Sequence, residues 1–184
     1  MALTLEQLRR LADQEKFYYF MDPSRPVLLA GVQGLVGNYQ FVMALELEGQ
    51  FLQFRTMNYL KCPADHPNVG AVLRLIGELD YKLRFVKVGW DPNDGEIVVY
   101  GDVWIMDGSL TQQQFSRLLG NYMPALDQNY KRFTQILETG RDPGPMSIED
   151  LLKELPVAGG LAERLRKLLG TKPSTEPVQD PDTL

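Results

Sequence analysis

The chain has one cysteine, Cys62, and one histidine, His66, close together in sequence. A thiol and an imidazole are the components of an activated thiolate nucleophile. Such a pair is brought together by the fold and not by nearness along the chain, and His66, between Asp65 and Pro67, reads as a solvated residue on the approach to a helix. One Cys and one His also cannot supply the usual four zinc ligands without carboxylates. Asp91, Asn93, Asp94, Gly95 and Glu96 have the oxygen-rich look of a calcium loop, but glycine falls one position early and a hydrophobic strand follows, so a hairpin turn is expected. Gly31, Gly34 and Gly37 have no helix after them to offer N-terminal amides to a phosphate and read as loop or bulge glycines. Glu46 and Glu48 stand at i, i+2 and could share acid/base work. They fall on the polar stripe of a strand, which is the ordinary place for a solvated carboxylate.

These residues must be held by elements that the residue pattern also outlines. Thr4 with Gln7 has capping-box spacing, and Leu5, Leu8, Leu11 and Ala12 recur at helical intervals, which predicts a first helix running to about Met21. Asp22 to Pro26 ends it. A short strand is expected over Val27 to Val32. Tyr39, Phe41, Met43, Leu45 and Leu47 then alternate with Gln40, Val42, Ala44, Glu46 and Glu48 as a half-buried strand. After Gly49, Leu52, Phe54 and Leu60 form one face of a third strand, and Phe51, Gln53, Arg55, Met57 and Tyr59 form the other. Pro63 and Pro67 break the pattern, and Val69, Val72, Leu73, Ile76 and Leu79 return to a helical period. Leu83 to Trp90 and Glu96 to Met106 make a hairpin whose Asp-Gly end supplies a positive φ. Thr111 with Gln114 opens a last helix carrying Phe115, Leu119, Tyr122, Leu126, Tyr130 and Phe133, which Pro124 is expected to kink or restart.

The order is helix, three strands, helix, two strands, helix, and short loops favour antiparallel pairing. The expectation is therefore an α+β domain over 1–140 with an antiparallel sheet of about five strands and helices packed on it. A helical extension is expected over 141–170, with short helices at Ser147 to Leu155 and Leu161 to Leu169. Residues 171–184, with three prolines and no large aromatic, are expected to be disordered.

Composition narrows the function classes. At 184 residues with 44% hydrophobic and 10% aromatic side chains, the chain can bury a core without a metal or disulfide framework. Nineteen basic against 24 acidic residues leave a net charge of -5, the wrong sign for gripping phosphate backbones. Stacking of Phe51, Tyr59, Tyr100 and Trp104 on single-stranded bases is therefore disfavoured. No apolar run approaches the length of a membrane span, the amphipathic N-terminus does not resemble a signal peptide, and a cytoplasmic protein is expected. Arg164, Arg166 and Lys167 beside Leu165, Leu168 and Leu169 could lie on a membrane surface, but docking on the domain or on a partner is favoured, so neither membrane nor nucleic acid is expected as a partner.

The unusual feature is apolar material on the second sheet face. Phe51, Met57 and Tyr59 on one strand and Val98, Tyr100, Trp104 and Met106 on another lie opposite the residues that complete the first face. Left uncovered, they form a patch of the kind used for partner or subunit binding. Phe51, Met57, Tyr59, Tyr100 and Trp104 are the candidate partner-binding residues. No catalytic residue, metal or cofactor is assigned.

The block from Leu83 to Leu119, LRFVKVGWDPNDGEIVVYGDVWIMDGSLTQQQFSRLL, preceded by QFLQFRTMNYLKCP at Gln50 to Pro63, resembles the YbjN family of bacterial sensory-transduction regulators. The resemblance spans roughly Leu3 to Gly140 and rests on a D-G hairpin, a second strand ending in D-G, and a helix opened by an S/T-x-x-Q/E cap. It implies a type III secretion chaperone-like fold and a non-enzymatic regulatory or chaperone-like module, homodimeric, that binds a protein segment. The extension from Arg141 lies outside it. The competing expectation is an enzyme using Cys62 or a carboxylate pair in a cleft.

Overall fold

The structure, a computed structural model, describes residues 2–147 and 150, apart from 23 and 107. The expected α+β class is the one observed, with seven strands in place of five. The order is α1 (Leu5–Gln14), β1 (Tyr19–Met21), β2 (Val27–Gln33), β3 (Asn38–Glu46), β4 (Phe51–Met57), β5 (Leu60–Lys61), α2 (Val69–Lys82), β6 (Val86–Trp90), β7 (Glu96–Trp104) and α3 (Gln112–Thr139). All pairings are antiparallel, with β1, β2, β3, β4 and β7 in sequence across the sheet, β5 continuing beside β7 in line with β4, and β6 on the far side of β7.

Both extra strands arise where the chain bends. The helix expected to reach Met21 stops at Gln14, and Lys16 takes a left-handed φ of 59°. The run Phe17-Tyr18-Tyr19-Phe20 is aromatic and suits a pleated surface better than a helix, so Tyr19–Met21 turns back and pairs with Leu28, Leu29 and Ala30. The expected third strand is divided by Asn58, whose φ of 52° acts as a bulge. The ladder between β4 and β7 ends at Arg55 and Tyr100 and resumes as β5 at Leu60 and Ile97. In the gap, the Thr56 hydroxyl accepts from the Val99 amide at 2.9 Å, and the Tyr122 hydroxyl donates to the Val99 carbonyl at 2.9 Å. Side chains thereby replace the missing backbone partners, as buried polar groups require.

Both capping boxes form as the spacing predicts, with Thr4 and Thr111 each exchanging bonds with the glutamine three residues on. Pro124 does not restart α3, which runs unbroken through it. Proline removes the donor to the carbonyl of Gly120, and Gly120 is exposed, so water can serve that carbonyl. The helix ends at Gly140, which is left-handed at φ 73°. Beyond it Arg132, only 3% exposed, holds the following segment: its Nε donates to Asp142 at 2.9 Å, and Nη2 donates to Asp142 at 2.5 Å and to Glu78 of α2 at 3.2 Å. The Arg132 guanidinium holds the Asp142 carboxyl below its ordinary range. The short helix expected from Ser147 onward, the one at Leu161 to Leu169 and the tail 171–184 lie outside the described residues but for Ser147 and Asp150.

The core occupies one face of the sheet. Leu28, Phe41, Met43, Leu52, Phe54 and Ile97 are fully buried and point at α1 and α3. Phe54 packs against Phe115 and Tyr122, and Phe41 against Phe17 and Tyr122. α2 packs on β6 and α3, contributing Val72, Leu75 and Leu79 to the same core.

Candidate functional site

The alternation of side chains places every second residue of each strand on the opposite face, and none of those residues is buried. Among the described residues no helix covers them. Register aligns them in rows across the sheet. One row reads Phe20, Leu29, Val42, Arg55, Tyr100 and Lys87; the next reads Val27, Ala44, Gln53 and Asp102; a third reads Glu46, Phe51 and Trp104. The face is therefore divided. Apolar side chains occupy β1 to β3, an aromatic pair sits at one corner, and polar groups lie between them.

The aromatic corner is formed by Phe51 and Trp104, ring centroids 4.8 Å apart, with Trp104 64% exposed. The polar middle is internally satisfied. Arg55 donates through Nη2 to Glu96 at 3.0 Å, and Gln53 donates through Nε2 to Asp102 at 3.0 Å. Partial burial, then the Asp80 and Asp102 carboxylates, push the Tyr100 phenol above its ordinary value. A shallow depression of about 320 Å³ lies beside this row, floored by Val27, Leu29, Val42 and Met57 and flanked by Arg25 and Arg55.

Four of the five candidate residues, Phe51, Met57, Tyr100 and Trp104, lie on this face. Tyr59 does not, and its expected position is corrected here. The left-handed Asn58 shifts the alternation by one residue, so Tyr59 turns into the core at 6% exposure. Its hydroxyl donates to the Leu126 carbonyl at 2.7 Å, and its ring meets Tyr39, Tyr130 and Phe133. Burial pushes its phenol well above the ordinary range. Phe20, Val27, Leu29 and Val42 lie on the same face without being among the expected residues. Val42 and Ala44 already interrupted the polar stripe of β3, and that was the signal to follow.

The groups considered for catalysis are not brought together. Cys62 is fully buried, with its sulfur 3.9 Å from the Pro63 carbonyl, and burial pushes the thiol up, opposite to the shift a nucleophile needs. His66 accepts at Nδ1 from the Asn68 amide at 3.1 Å, a turn contact. No hydrogen bond joins the two among the described residues. Glu46 and Glu48 do not share a strand face: β3 ends at Glu46, and Leu47, Glu48 and Gly49 are all left-handed. Among the described residues no group of three or more His, Cys, Asp or Glu side chains could hold a metal ion. The glycine loop does cradle an anion, but it is the chain's own. Asp127 of α3 accepts from the Leu35 and Val36 amides at 2.6 and 3.3 Å and from the Tyr39 hydroxyl at 2.6 Å. A Cβ on Gly34 would stand 2.3 Å from that carboxylate, which is why glycine is needed there.

No helix among the described residues is long and apolar enough to cross a membrane. The family model YbjN, described as "Putative bacterial sensory transduction regulator", matches residues 4–135. Similar solved structures include the crystal structure of YbjN, "a putative transcription regulator from E. coli", at 19% identity and a TM-score of 0.47, covering 68% of this chain and 89% of that one. The HopA1-SchA chaperone-effector complex is similar at 10% identity and a TM-score of 0.43, covering 64% of this chain and 85% of that one. A search of the curated proteins finds no match.

Proposed function

From the premise that the chain belongs to the YbjN family, we propose that it is a non-enzymatic regulatory or chaperone-like module that binds a protein partner through the uncovered face of its sheet. The observation that carries this reading is the face itself: a whole side of the sheet with no buried residue among the described ones, in a chain whose other side carries the core. An aromatic anchor beside satisfied polar pairs is the usual anatomy of an interface, where a few large side chains supply most of the affinity. Phe51 and Trp104 are that anchor, with Met57 and Tyr100 beside them. The binding domain is residues 1–140, with 141–170 and 171–184 as appendages, and the protein works in the cytoplasm as a homodimer.

The test is affinity capture from native extract with the full chain and with Trp104→Asp. Trp104 is exposed and its ring packs on Phe51, so the variant should stay folded, with the melting temperature lowered by only a few degrees, and lose at least about tenfold in retained partner, equivalent to about 1.4 kcal/mol. Equal retention by both proteins would remove the proposal, and unfolding of the variant would place Trp104 in the core.

The rival, a thiol enzyme, predicts a reactive Cys62. Burial and a raised thiol pKa predict the reverse. With an aromatic disulfide reagent at neutral pH, Cys62 should react only as fast as the protein unfolds. Rapid stoichiometric modification of the native chain would favour the enzyme.

A further inference from the structure

The sheet ends in a short strand on each side, β1 of three residues and β6 of five, and the fold treats these two edges in opposite ways. At the β6 edge the Val88 amide donates to the Asp80 carboxylate at 2.8 Å, and the Lys87 ammonium donates to the Asp80 and Leu83 carbonyls at 2.8 and 3.3 Å. The end of α2 therefore closes that edge against another strand. Among the described residues β1 has no such cover. Outside the ladder, no hydrogen bond among the described residues reaches the backbone of Tyr19 or Met21. Tyr18 is 90% exposed and Phe20 64%. Sheets ordinarily protect an edge with charge, proline, a bulge or a covering element, and a bare aromatic edge is a template for pairing.

The backbone phase of β1 shows which groups are free. The Asp22 amide donates to the Val27 carbonyl at 3.4 Å, so Asp22 and Phe20 face β2 and the N–H and C=O of Tyr19 and Met21 point away from the sheet. We propose that β1 pairs antiparallel with β1 of a second copy about a two-fold axis at Phe20, joining the two sheets into one. In that register Tyr19 of each copy meets Met21 of the other, and every outward N–H and C=O of both strands finds a partner. Phe20 meets its own counterpart in the close, non-bonded pair on the uncovered face, where aromatic pairs stabilise a sheet. The result is a single platform on which the two uncovered faces are continuous. It rests on the reading of the chain as an interaction module, and it adds the mode of assembly.

Sedimentation of the full chain from about 1 to about 100 µM should show a dimer that dissociates on dilution. Met21→Pro removes an outward donor and leaves the bonds to β2 intact. Phe20→Lys places charge on the bare edge. Each should weaken the dimer at least about tenfold, without changing the far-ultraviolet circular dichroism. If Met21→Pro misfolds, Phe20→Lys decides alone. Phe20→Cys should cross-link to a dimer on mild oxidation, since facing residues of a non-bonded pair have disulfide-compatible spacing, while Phe51→Cys should not. A monomer at every concentration, a dimer unaffected by the variants, or no cross-link from Phe20→Cys overturns the proposal. Trp104→Asp should leave the dimer intact, so failure of β1 pairing and failure of partner binding are read separately.

Discussion

Phe54→Ala should lower stability by about 3–5 kcal/mol, while Phe51→Ala, on the same strand, should cost about 1 kcal/mol or less. Phe54 lies at the centre of β4 between Met43 and Gly101. Gly101 has no side chain, and Phe85 fills the space, with its ring within 2.5 Å of where a Cβ would stand. Phe54 thus sits among Phe85, Phe115 and Tyr122, with centroids 5.6 to 6.1 Å away. Truncation removes the buried ring and leaves a cavity that three neighbours cannot close at once. Domains of this size are stable by only about 5–15 kcal/mol, so the loss is a large share of the total. Phe51 is half-buried, and its ring partner is Trp104. In urea unfolding, the Phe54 variant should show a lower midpoint at unchanged slope. Comparable losses for the two variants would mean that the second face is covered, and would undermine the proposed interface as well.

Asp127→Ala should cost about 2–3 kcal/mol and loosen the β2–β3 hairpin. The carboxylate gathers two amides and a phenol from a loop more than eighty residues away, fixing one end of the sheet to α3. Removing it leaves Leu35 N–H, Val36 N–H and Tyr39 O–H seeking water in a half-buried place, and an unmet donor costs more than a formed bond contributes. Burial, then the hydrogen bond to Asp127, pushes the Tyr39 phenol far above its ordinary value. Asp127→Asn keeps one acceptor oxygen and should lose less. Amide exchange at Leu35 and Val36 should accelerate in the alanine variant, with a lower melting temperature. An alanine variant as stable as the wild type, with unchanged exchange, would show that the loop needs no clamp. The hairpin also carries Leu29 and Val42 of the uncovered face.

Much of the fold was legible because its signals are local. Thr4 with Gln7 and Thr111 with Gln114 specify helix starts within one turn, and Asp94-Gly95 specifies a reversal within a few residues. Alternation in β3 and β4 gave the two faces. The errors fell where a single residue changes the phase. Lys16, Asn58 and the run Leu47-Glu48-Gly49 adopt left-handed backbones, and nothing in Lys or Leu as a residue type announces that. One such residue at Asn58 sufficed to move Tyr59 from the supposed binding face into the core. Gly34 showed a related limit: its need for glycine is set by Asp127, which comes close only in the folded chain.

The residue pattern by itself determined that this chain is an α+β domain, that its sheet is antiparallel and two-faced, and that it carries aromatic side chains on both faces, because each of those follows from periodicity and capping over short stretches. Only the tertiary structure decided that α1 and α3 lie on the same face and that, among the described residues, the other face is left without cover. It also decided that Cys62 is fully buried and that, among the described residues, one sheet edge is capped by α2 while the other is bare. These depend on which distant segments meet, and burial is a property of that meeting rather than of any residue alone.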